Sequence, residues 1–492
     1  MLEQILQGAT SFVQPVSLLF VGVGVLVGTA VGLVPGLNGL TTLALMIPFV
    51  YGADPAIGLS FLLAIHAVVN TASAVPAILI GIPGEPASAA TVIDGHKLAQ
   101  QGRGGEAIGA ALAASGIGGV FGALVLLALL PVLAPIVLYF KSPDTLMIAL
   151  FGISLIGVLA KGSMAKGLLA GALGMLLATV GYQDTSGVPR FWFEMDFLLD
   201  GFALVPVTLG LFAVPEILSM GATGRTIADE KAPPVNARQV FFGAAQAFKH
   251  WVAVLRSSLI GVCTGVVPGL GGATAPWLAY MSAAETSREK HKFGQGSVEG
   301  VIAPEASNNS KEGGSLIPTL AFGIPGSSSM ALLIGAFYLF GLTPGPEFLE
   351  KNMPTAVHMT ITVAVANIGA AVLTILVGAQ LSAVTRVPGR ILAPILMLTL
   401  LLGTYATSNE PMDLVVLMAF GIIGLAMKEL NYSRPCFLIG FVLAPMIETY
   451  LHISLRAHGW SFLLRPVSLL VFLALAVIMA RNVSQRRKVA FQ

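Results

Sequence analysis

The chain has 492 residues, of which 55% are hydrophobic and only 10% charged, against about 25% charged in an ordinary soluble domain. That composition excludes a soluble globular protein and predicts an all-α polytopic membrane protein. A formal net charge of +2 gives no sign of nucleic acid binding, and the two cysteines, Cys263 and Cys436, form neither a disulfide framework nor a metal-binding spacing.

A membrane span needs roughly 20 apolar residues, so the length predicts about a dozen transmembrane segments, some of them broken. The first apolar run, Val16–Val34, has no basic segment before it and is expected to be a retained span rather than a signal peptide. Pro35 and Gly36 interrupt it, and the apolar piece that follows, Leu40–Val50, is too short to cross alone. Such half-length pieces predict re-entrant or broken helices. The run Ile57–Ile80 carries His66, Asn70, Ser73 and Pro76, and is broken again at Gly81-Ile-Pro83-Gly84. After a polar loop through Arg103, glycine-dotted helices occupy 107–139, where Gly118 and Gly122 supply a close-packing face. Shorter apolar runs, an aromatic loop over 184–200 and a span over 201–220 complete the first half.

The longest polar connection runs from Gly221 to Arg256 and contains Pro233-Pro234 and an excess of basic residues. It divides the chain into a first repeat half over 1–222, a cytoplasmic linker over 223–256, a second half over 257–482 and a basic tail over 483–492. The second half repeats the plan of the first. Gly32-Leu-Val-Pro35-Gly36-Leu-Asn38-Gly39 returns as Gly265-Val-Val-Pro268-Gly269-Leu-Gly271-Gly272. Likewise, Ser73-x-x-Pro76-x-x-x-x-Gly81-Ile-Pro83-Gly84 returns as Ser315-x-x-Pro318-x-x-x-x-Gly323-Ile-Pro325-Gly326. Two motifs recurring in one order indicate an internal duplication.

The charges bear on how the halves are related. No Lys or Arg precedes Lys97, so the loop after the first Val-Pro-Gly is free of positive charge, whereas Arg288, Lys290 and Lys292 follow the second. By the positive-inside tendency, equivalent loops then lie on opposite sides of the membrane, as in an inverted structural repeat. Inverted repeats with broken helices build midplane sites in secondary transporters: the exposed amides at a helix N-terminus attract anions, and the exposed carbonyls at a C-terminus ligate cations. The simpler reading of each Gly-Pro pair is a kink in a packed helix.

The candidate substrate-binding residues follow from these breaks. Gly84, Ser88, Gly326, Ser327 and Ser328 are small enough to let a substrate approach the backbone. Asn38 and Thr41 follow the first break, Asn70 and Ser73 precede the first Gly-Ile-Pro-Gly, and Asn308, Asn309 and Ser315 occupy the corresponding region of the second half. Their amides and hydroxyls can donate to a carboxylate or offer oxygen to sodium, although a lone buried Asn also serves as an interhelical hydrogen-bond partner. Candidate ion-binding residues are Pro35, Gly36, Pro268 and Gly269 at the breaks, and Glu305, which could equally cap a helix. Glu448 is a second acidic candidate for an ion pathway. His66 is expected to be a satisfied bundle histidine rather than a proton carrier.

These motifs, with Asp94-Gly95, Glu299-Gly300-Val-x-Ala-Pro304-Glu305-x-x-Asn308-Asn309, Gly341-Leu-x-Pro344-Gly345-Pro346 and Arg434-Pro435 through Glu448, resemble the large membrane subunit of tripartite tricarboxylate transporters over nearly the whole chain. The resemblance implies a permease of the bacterial inner membrane. Its partners would be a small four-helix membrane subunit and a periplasmic solute-binding protein, its substrates tri- or dicarboxylates, and its driving force an Na+ or H+ gradient. The chain departs from the family pattern where Ser310-Lys311-Glu312 follows the Asn pair, where His96-Lys97-Leu98 follows Asp94-Gly95, and at Glu448–Ile453. Lys311 either attracts an anion, pairs with Glu312 or lies in solvent. No phosphate-binding loop or His-Glu-x-x-His is present, so the alternatives are a passive carboxylate channel and, less favoured, an intramembrane enzyme.

Overall fold

The computed structural model describes residues 2–33, 38–81, 83, 85–137, 139–159, 164–183, 185–223, 236–267, 271–381 and 389–473. Among them the helices, in chain order, are α1 (Leu2–Phe12), α2 (Pro15–Gly32), α3 (Gly39–Met46), α4 (Pro55–Ala72), α5 (Ala74–Ile80), α6 (Ala89–Gln100) and α7 (Gly104–Val137). Then come α8 (Ser142–Leu159), α9 (Met164–Leu177), α10 (Leu204–Thr223), α11 (Ala237–Lys249), α12 (Trp251–Val266), α13 (Gly271–Thr286) and α14 (Glu299–Phe322). The last are α15 (Ser328–Leu339), α16 (Pro346–Lys351), α17 (Met353–Leu381), α18 (Gly389–Ser408), α19 (Met412–Glu429) and α20 (Arg434–His458). Five stretches among the described residues are long and apolar enough to cross a membrane: Pro15–Gly32, Pro55–Ile80, Gly104–Val137, Met353–Leu376 and Arg434–Leu464. The chain is a membrane protein whose described residues are helical apart from short turns and one short hairpin, β1 (Gly181–Tyr182) against β2 (Pro189–Arg190), of which β2 falls in the stretch that the sequence reads as an aromatic loop.

Two compact units form. One comprises 1–134 with 203–430, and the other 135–202 with 431–492. In the second, α9 packs on α20 through small residues: a Cβ on Gly174 would strike the backbone of Phe437, and one on Gly440 the backbone of Gly171. The polar stretch over 223–256 carries α11 and the start of α12 rather than an extended linker. Asn236 caps α11, its Oδ1 accepting the Arg238 N–H at 2.9 Å. Val240, Gly243 and Ala247 turn inward while Phe241, Phe242 and Phe248 face out, an amphipathic pattern that resembles a polar loop when only composition is weighed. Residues 224–235 of that stretch and the tail over 483–492 lie outside the described residues.

Within the first unit the duplicated motifs stand in duplicated packing. Gly28 of α2 abuts Ile65 and Val68 of α4, and Gly32 abuts Val69 and Ala72. In the second half Gly261 of α12 abuts Ser307 and Ser310 of α14, and Gly265 abuts Lys311 and Gly314. Aligning the motifs pairs Gly28 with Gly261, Gly32 with Gly265, and Ile65, Val68, Val69 and Ala72 with Ser307, Ser310, Lys311 and Gly314. One glycine spacing therefore sets one close helix–helix contact twice. The helix ends also correspond: Gly81 closes α5 and Gly323 closes α14, with φ of 69° and 67°, a left-handed cap that glycine adopts without steric cost. Pro318 lies inside α14 without ending it, so it is the glycine of Gly-Ile-Pro-Gly that terminates the helix.

α7 lies on another side of α14, where Gly118 meets the Ala306 backbone and Gly122 that of Ser310. The entry to α14 is held by Asp94 of α6. Its buried carboxylate accepts the N–H groups of Gly296 (2.8 Å) and Ser297 (2.9 Å) and the hydroxyl of Tyr280 (2.9 Å).

Two measurements check these contacts. Gly261→Leu is expected to cost about 1–3 kcal/mol by forcing α12 from α14, read as a lower unfolding temperature in detergent. Gly22→Leu, on a face of α2 with nothing within 4 Å, should leave that temperature unchanged. Asp94→Ala strands three donors and is expected to cost about 3 kcal/mol or more, with Tyr280→Phe costing about 1 kcal/mol.

Candidate functional site

Described residues flanking the helix interruptions of the first unit pack against α14 and α4. The second Gly-Ile-Pro-Gly folds back on its own helix: a Cβ on Gly326 would lie 2.7 Å from Ser315 Cα and 2.9 Å from the Gly265 carbonyl oxygen. The two motifs of the second half therefore touch, and what Gly326 admits so closely is protein backbone. Ser327 then caps α15, its Oγ accepting the Met330 N–H at 3.3 Å. In the first half Asn38 caps α3, its Oδ1 accepting the Thr41 N–H at 2.9 Å, and Thr42 Oγ1 donates to the Asn38 carbonyl at 2.9 Å. Gly39, the first residue of α3, is pressed against His66 and Glu85: a Cβ there would lie 2.8 Å from His66 Nδ1 and 3.4 Å from Glu85 Oε2. α3, of only eight residues, cannot cross a bilayer alone, whereas α5 continues the membrane-length stretch that starts with α4.

α14 is the polar axis of this unit. From Gly300 to Ala321 every residue is buried, although the stretch includes two carboxylates, a lysine and two asparagines. The helical period sorts them. Positions 306, 310 and 313 face α7, and 307, 310, 311 and 314 face α12. Glu305 accepts from Thr91 of α6 at 2.5 Å and from Ser115 of α7 at 3.0 Å. Asn309 donates to Thr71 of α4 at 2.5 Å and, through a very short bond, to Asn367 of α17. Glu312 meets α4: Asn70 Nδ2 donates to its Oε1 at 2.9 Å. Lys311 Nζ donates to the same oxygen at 2.6 Å. His66 Nε2 lies 3.1 Å from Glu312 Oε2, at ion-pair distance but off the line of a hydrogen bond.

Buried polar groups in proteins nearly always have partners, and here several do not. Both amide atoms of Asn308, fully buried one turn before Glu312, are unpartnered. So are Asn70 Oδ1, Asn309 Oδ1, His66 Nδ1, Glu85 Oε2 and, in hydrogen-bond terms, Glu312 Oε2. Each such group costs about 1–3 kcal/mol. Amide N–H donors suit a carboxylate, and uncharged or anionic oxygens suit a hard cation.

The remaining predicted residues fall as follows. Ser73 closes α4, donates to the Asn70 carbonyl at 2.8 Å and shares a 2.7 Å hydrogen bond with Ser88. Thr41 and Ser315 are buried, while Ser328, at the start of α15, is half-buried. Gly84, Pro35, Gly36, Pro268 and Gly269 lie outside the described residues. Glu448 belongs to the second unit, where Arg190 grips it with two bonds of 2.6 and 2.9 Å. Gln183 donates to Glu448 as well, at 2.9 Å. A cavity of 180 Å³ lies beside it, lined by Tyr182, Gln183, Arg190 and Glu448 among others, which is below the roughly 300 Å³ of a usual ligand site. Sequence reasoning missed Thr91, Ser115 and Asn367, which hold the polar axis, and Glu85, which lies against Gly39. Of the readings open for Lys311, the structure shows the pairing with Glu312, with both side chains buried. The signal for Glu312 was available: the motif alignment places it opposite Asn70.

The family model described as "Tripartite tricarboxylate transporter TctA family" matches residues 18–439. An Agrobacterium vitis protein described as an "Uncharacterized 52.8 kDa protein in TAR-I ttuC' 3'region" is 31% identical over 481 residues, covering 96% of this chain and 94% of that protein. A second A. vitis protein, "Uncharacterized protein in TAR-II ttuC' 3'region", is 32% identical over 234 residues, 46% of this chain and 96% of its own length. No solved structure matches. A family match across most of the chain, together with a relative alignable almost end to end, means that this chain belongs to the tripartite tricarboxylate transporter TctA family.

Proposed function

We propose that this chain is the multi-pass permease subunit of a binding-protein-dependent system that takes up tri- or dicarboxylates across the bacterial inner membrane, driven by a cation gradient. Its partners in this reading are a small four-helix membrane subunit and a periplasmic solute-binding protein, and it performs no covalent chemistry. The two halves form an inverted repeat, with helices broken at Val-Pro-Gly and Gly-Ile-Pro-Gly on either side of a midplane site.

One observation supports this more than any other. Asn70 and Glu312 occupy equivalent positions of the two motif copies, and they are hydrogen-bonded to one another at 2.9 Å. Equivalent residues meet face to face when two copies are related by a two-fold axis that passes between them. The loop charges, free of Lys and Arg in one half and basic in the other, favour an axis in the membrane plane. At this contact lie the unpartnered Oδ1 of Asn70 and both unpartnered amide atoms of Asn308, contributed by the two halves. Stability given up at such a place is characteristic of a binding site. The substrate site in this reading comprises Asn38, Thr41, Asn70, Ser73, Gly84, Ser88, Asn308, Asn309, Ser315, Gly326, Ser327 and Ser328. The last three shape the second interruption, and Glu305 stands on the cation path.

Asn308→Ala separates binding from folding. It removes an amide that no protein group satisfies, so the unfolding temperature should hold or rise, by about 1 kcal/mol of stability. Uptake of a labelled tri- or dicarboxylate by cells carrying the whole system should fall at least about tenfold. Undiminished uptake by this variant would remove Asn308 from the site. Accumulation above the external concentration, abolished by an ionophore, separates a gradient-driven permease from a passive channel.

A further inference from the structure

The transport reading leaves a buried histidine unused. Among the described residues the elements packed on α4 near His66 are α2, α3, α5, α14, α15, α17 and the turn Ile47–Val50. Of these, α2, α3, α5, α15 and the turn carry no Asp, Glu, Lys, Arg or His. α17 contributes only His358, which is engaged by Ser11 at 3.0 Å and Ser17 at 2.8 Å. α14 contributes Lys311 and Glu312, with Glu305 held by Thr91 and Ser115 and Glu299 paired with His250. The segment after α5 contributes Glu85. His66 therefore has Glu312 at one ring nitrogen and Glu85 beyond the other, with Lys311 on the far side of Glu312.

We propose that His66 binds the coupling proton, so that the ion moved with the carboxylate is H+ rather than Na+. This rests on the transport reading above and names its ion.

The first argument is charge. With His66 neutral, Glu85, Glu312 and Lys311 carry one net negative charge around it; His66, Lys311 and Glu312 are each no more than 3% exposed, and Glu85 is half-buried. A buried net charge is costly, and one proton on the imidazole cancels it. The second argument is position. Nε2 lies 3.1 Å from Glu312 Oε2. Nδ1 and Glu85 Oε2 lie 2.8 and 3.4 Å from one point at Gly39, which places the second ring nitrogen close to that carboxylate. An imidazolium donates from both nitrogens, whereas neutral imidazole donates from one only. The loaded form can thus serve both carboxylates at once, and both Nδ1 and Glu85 Oε2 are without a partner. The third argument concerns sodium. Glu312 Oε1 is already taken by the ammonium of Lys311 and the amide of Asn70. A sodium ion needs several oxygen ligands, and here it would face a nitrogen on one side and a fixed like charge on the other.

The consequence is mechanical. Glu85 belongs to the helix interruption of the first half and Glu312 to the helix of the second. A proton entering from water onto the ring ties the two together, and its release to water on the other side returns neutral imidazole and frees them. On loading, an O–H bond of hydronium breaks as the ring N–H bond forms, leaving water; on release the N–H bond breaks and hydronium re-forms.

The test uses the full chain with its partner subunits in proteoliposomes, with labelled citrate and labelled succinate as probes. An acid-outside pH gradient without sodium is expected to drive accumulation. Addition of the probe to weakly buffered liposomes should raise the external pH. His66→Asn should lose both responses by about tenfold or more, while Cys263→Ser, at an exposed position, behaves as wild type. Accumulation driven by a sodium gradient alone with no external pH change would overturn the proposal, as would a His66→Asn variant with full pH-driven accumulation. If that variant does not fold, the sodium and proton arms on the wild type still decide. No accumulation of either probe under any gradient would remove the transport reading, and this inference with it.

Discussion

A lysine and a glutamate side by side in the middle of a buried helix are tolerable only because each answers the other, and the first unit is arranged around that fact. Leaving either alone would cost about 3–5 kcal/mol. Lys311 and Glu312 lie 2.6 Å apart, and the second carboxylate oxygen turns to His66 on the neighbouring helix. The rest of α14 obeys the same rule at lower stakes. Glu305 is met by two hydroxyls, and Asn309 by Thr71 and Asn367. Where the rule lapses, at Asn308 and the free oxygen of Asn70, the protein retains polar capacity that folding does not use.

Glycine makes that axis possible. Close approach by α12 and α7 requires positions without a Cβ, and Gly261, Gly265, Gly118 and Gly122 supply them against the α14 backbone. The same spacing on α2 seats it on α4. The duplicated scaffold thus conserves shape while the side chains within it diverge. Glu312 stands where the first copy has Asn70, Lys311 where it has Val69, and Asn308 where it has His66. A symmetrical frame carrying an asymmetrical set of charges fits a protein whose two ends must differ in what they release and bind.

Much of this was legible in the chain itself. Composition announced the membrane, the repeated motifs announced the helix breaks, and Gly81 and Gly323 end their helices where the pattern places the interruption. Asn70 and Ser73 stand out as polar residues in an apolar run, Glu305 and Asn309 in the segment leading to the second Gly-Ile-Pro-Gly, and all are buried in the first unit. What escaped depended on long-range contact. Nothing local to Thr91, Ser115 or Asn367 sets them apart from the many hydroxyls and amides of helical bundles. Glu85 reads as a loop residue until the fold brings it against Gly39. The Asp94-Gly95 motif, quoted for the family resemblance, holds the loop before α14, because the Asp94 carboxylate accepts the N–H groups of Gly296 and Ser297. α11 reads as part of a polar connection because composition alone does not register its helical period.

The central claim is that the two motif copies are mounted in opposite senses across the membrane, so that their breaks meet at one buried site. The most direct measurement labels single cysteines with a membrane-impermeant maleimide from each side, on a background lacking Cys263 and Cys436. Gly52→Cys reports the loop after α3, and Lys290→Cys the equivalent loop after α13. The account predicts that the two label from opposite faces; labelling of both from the same face would contradict it.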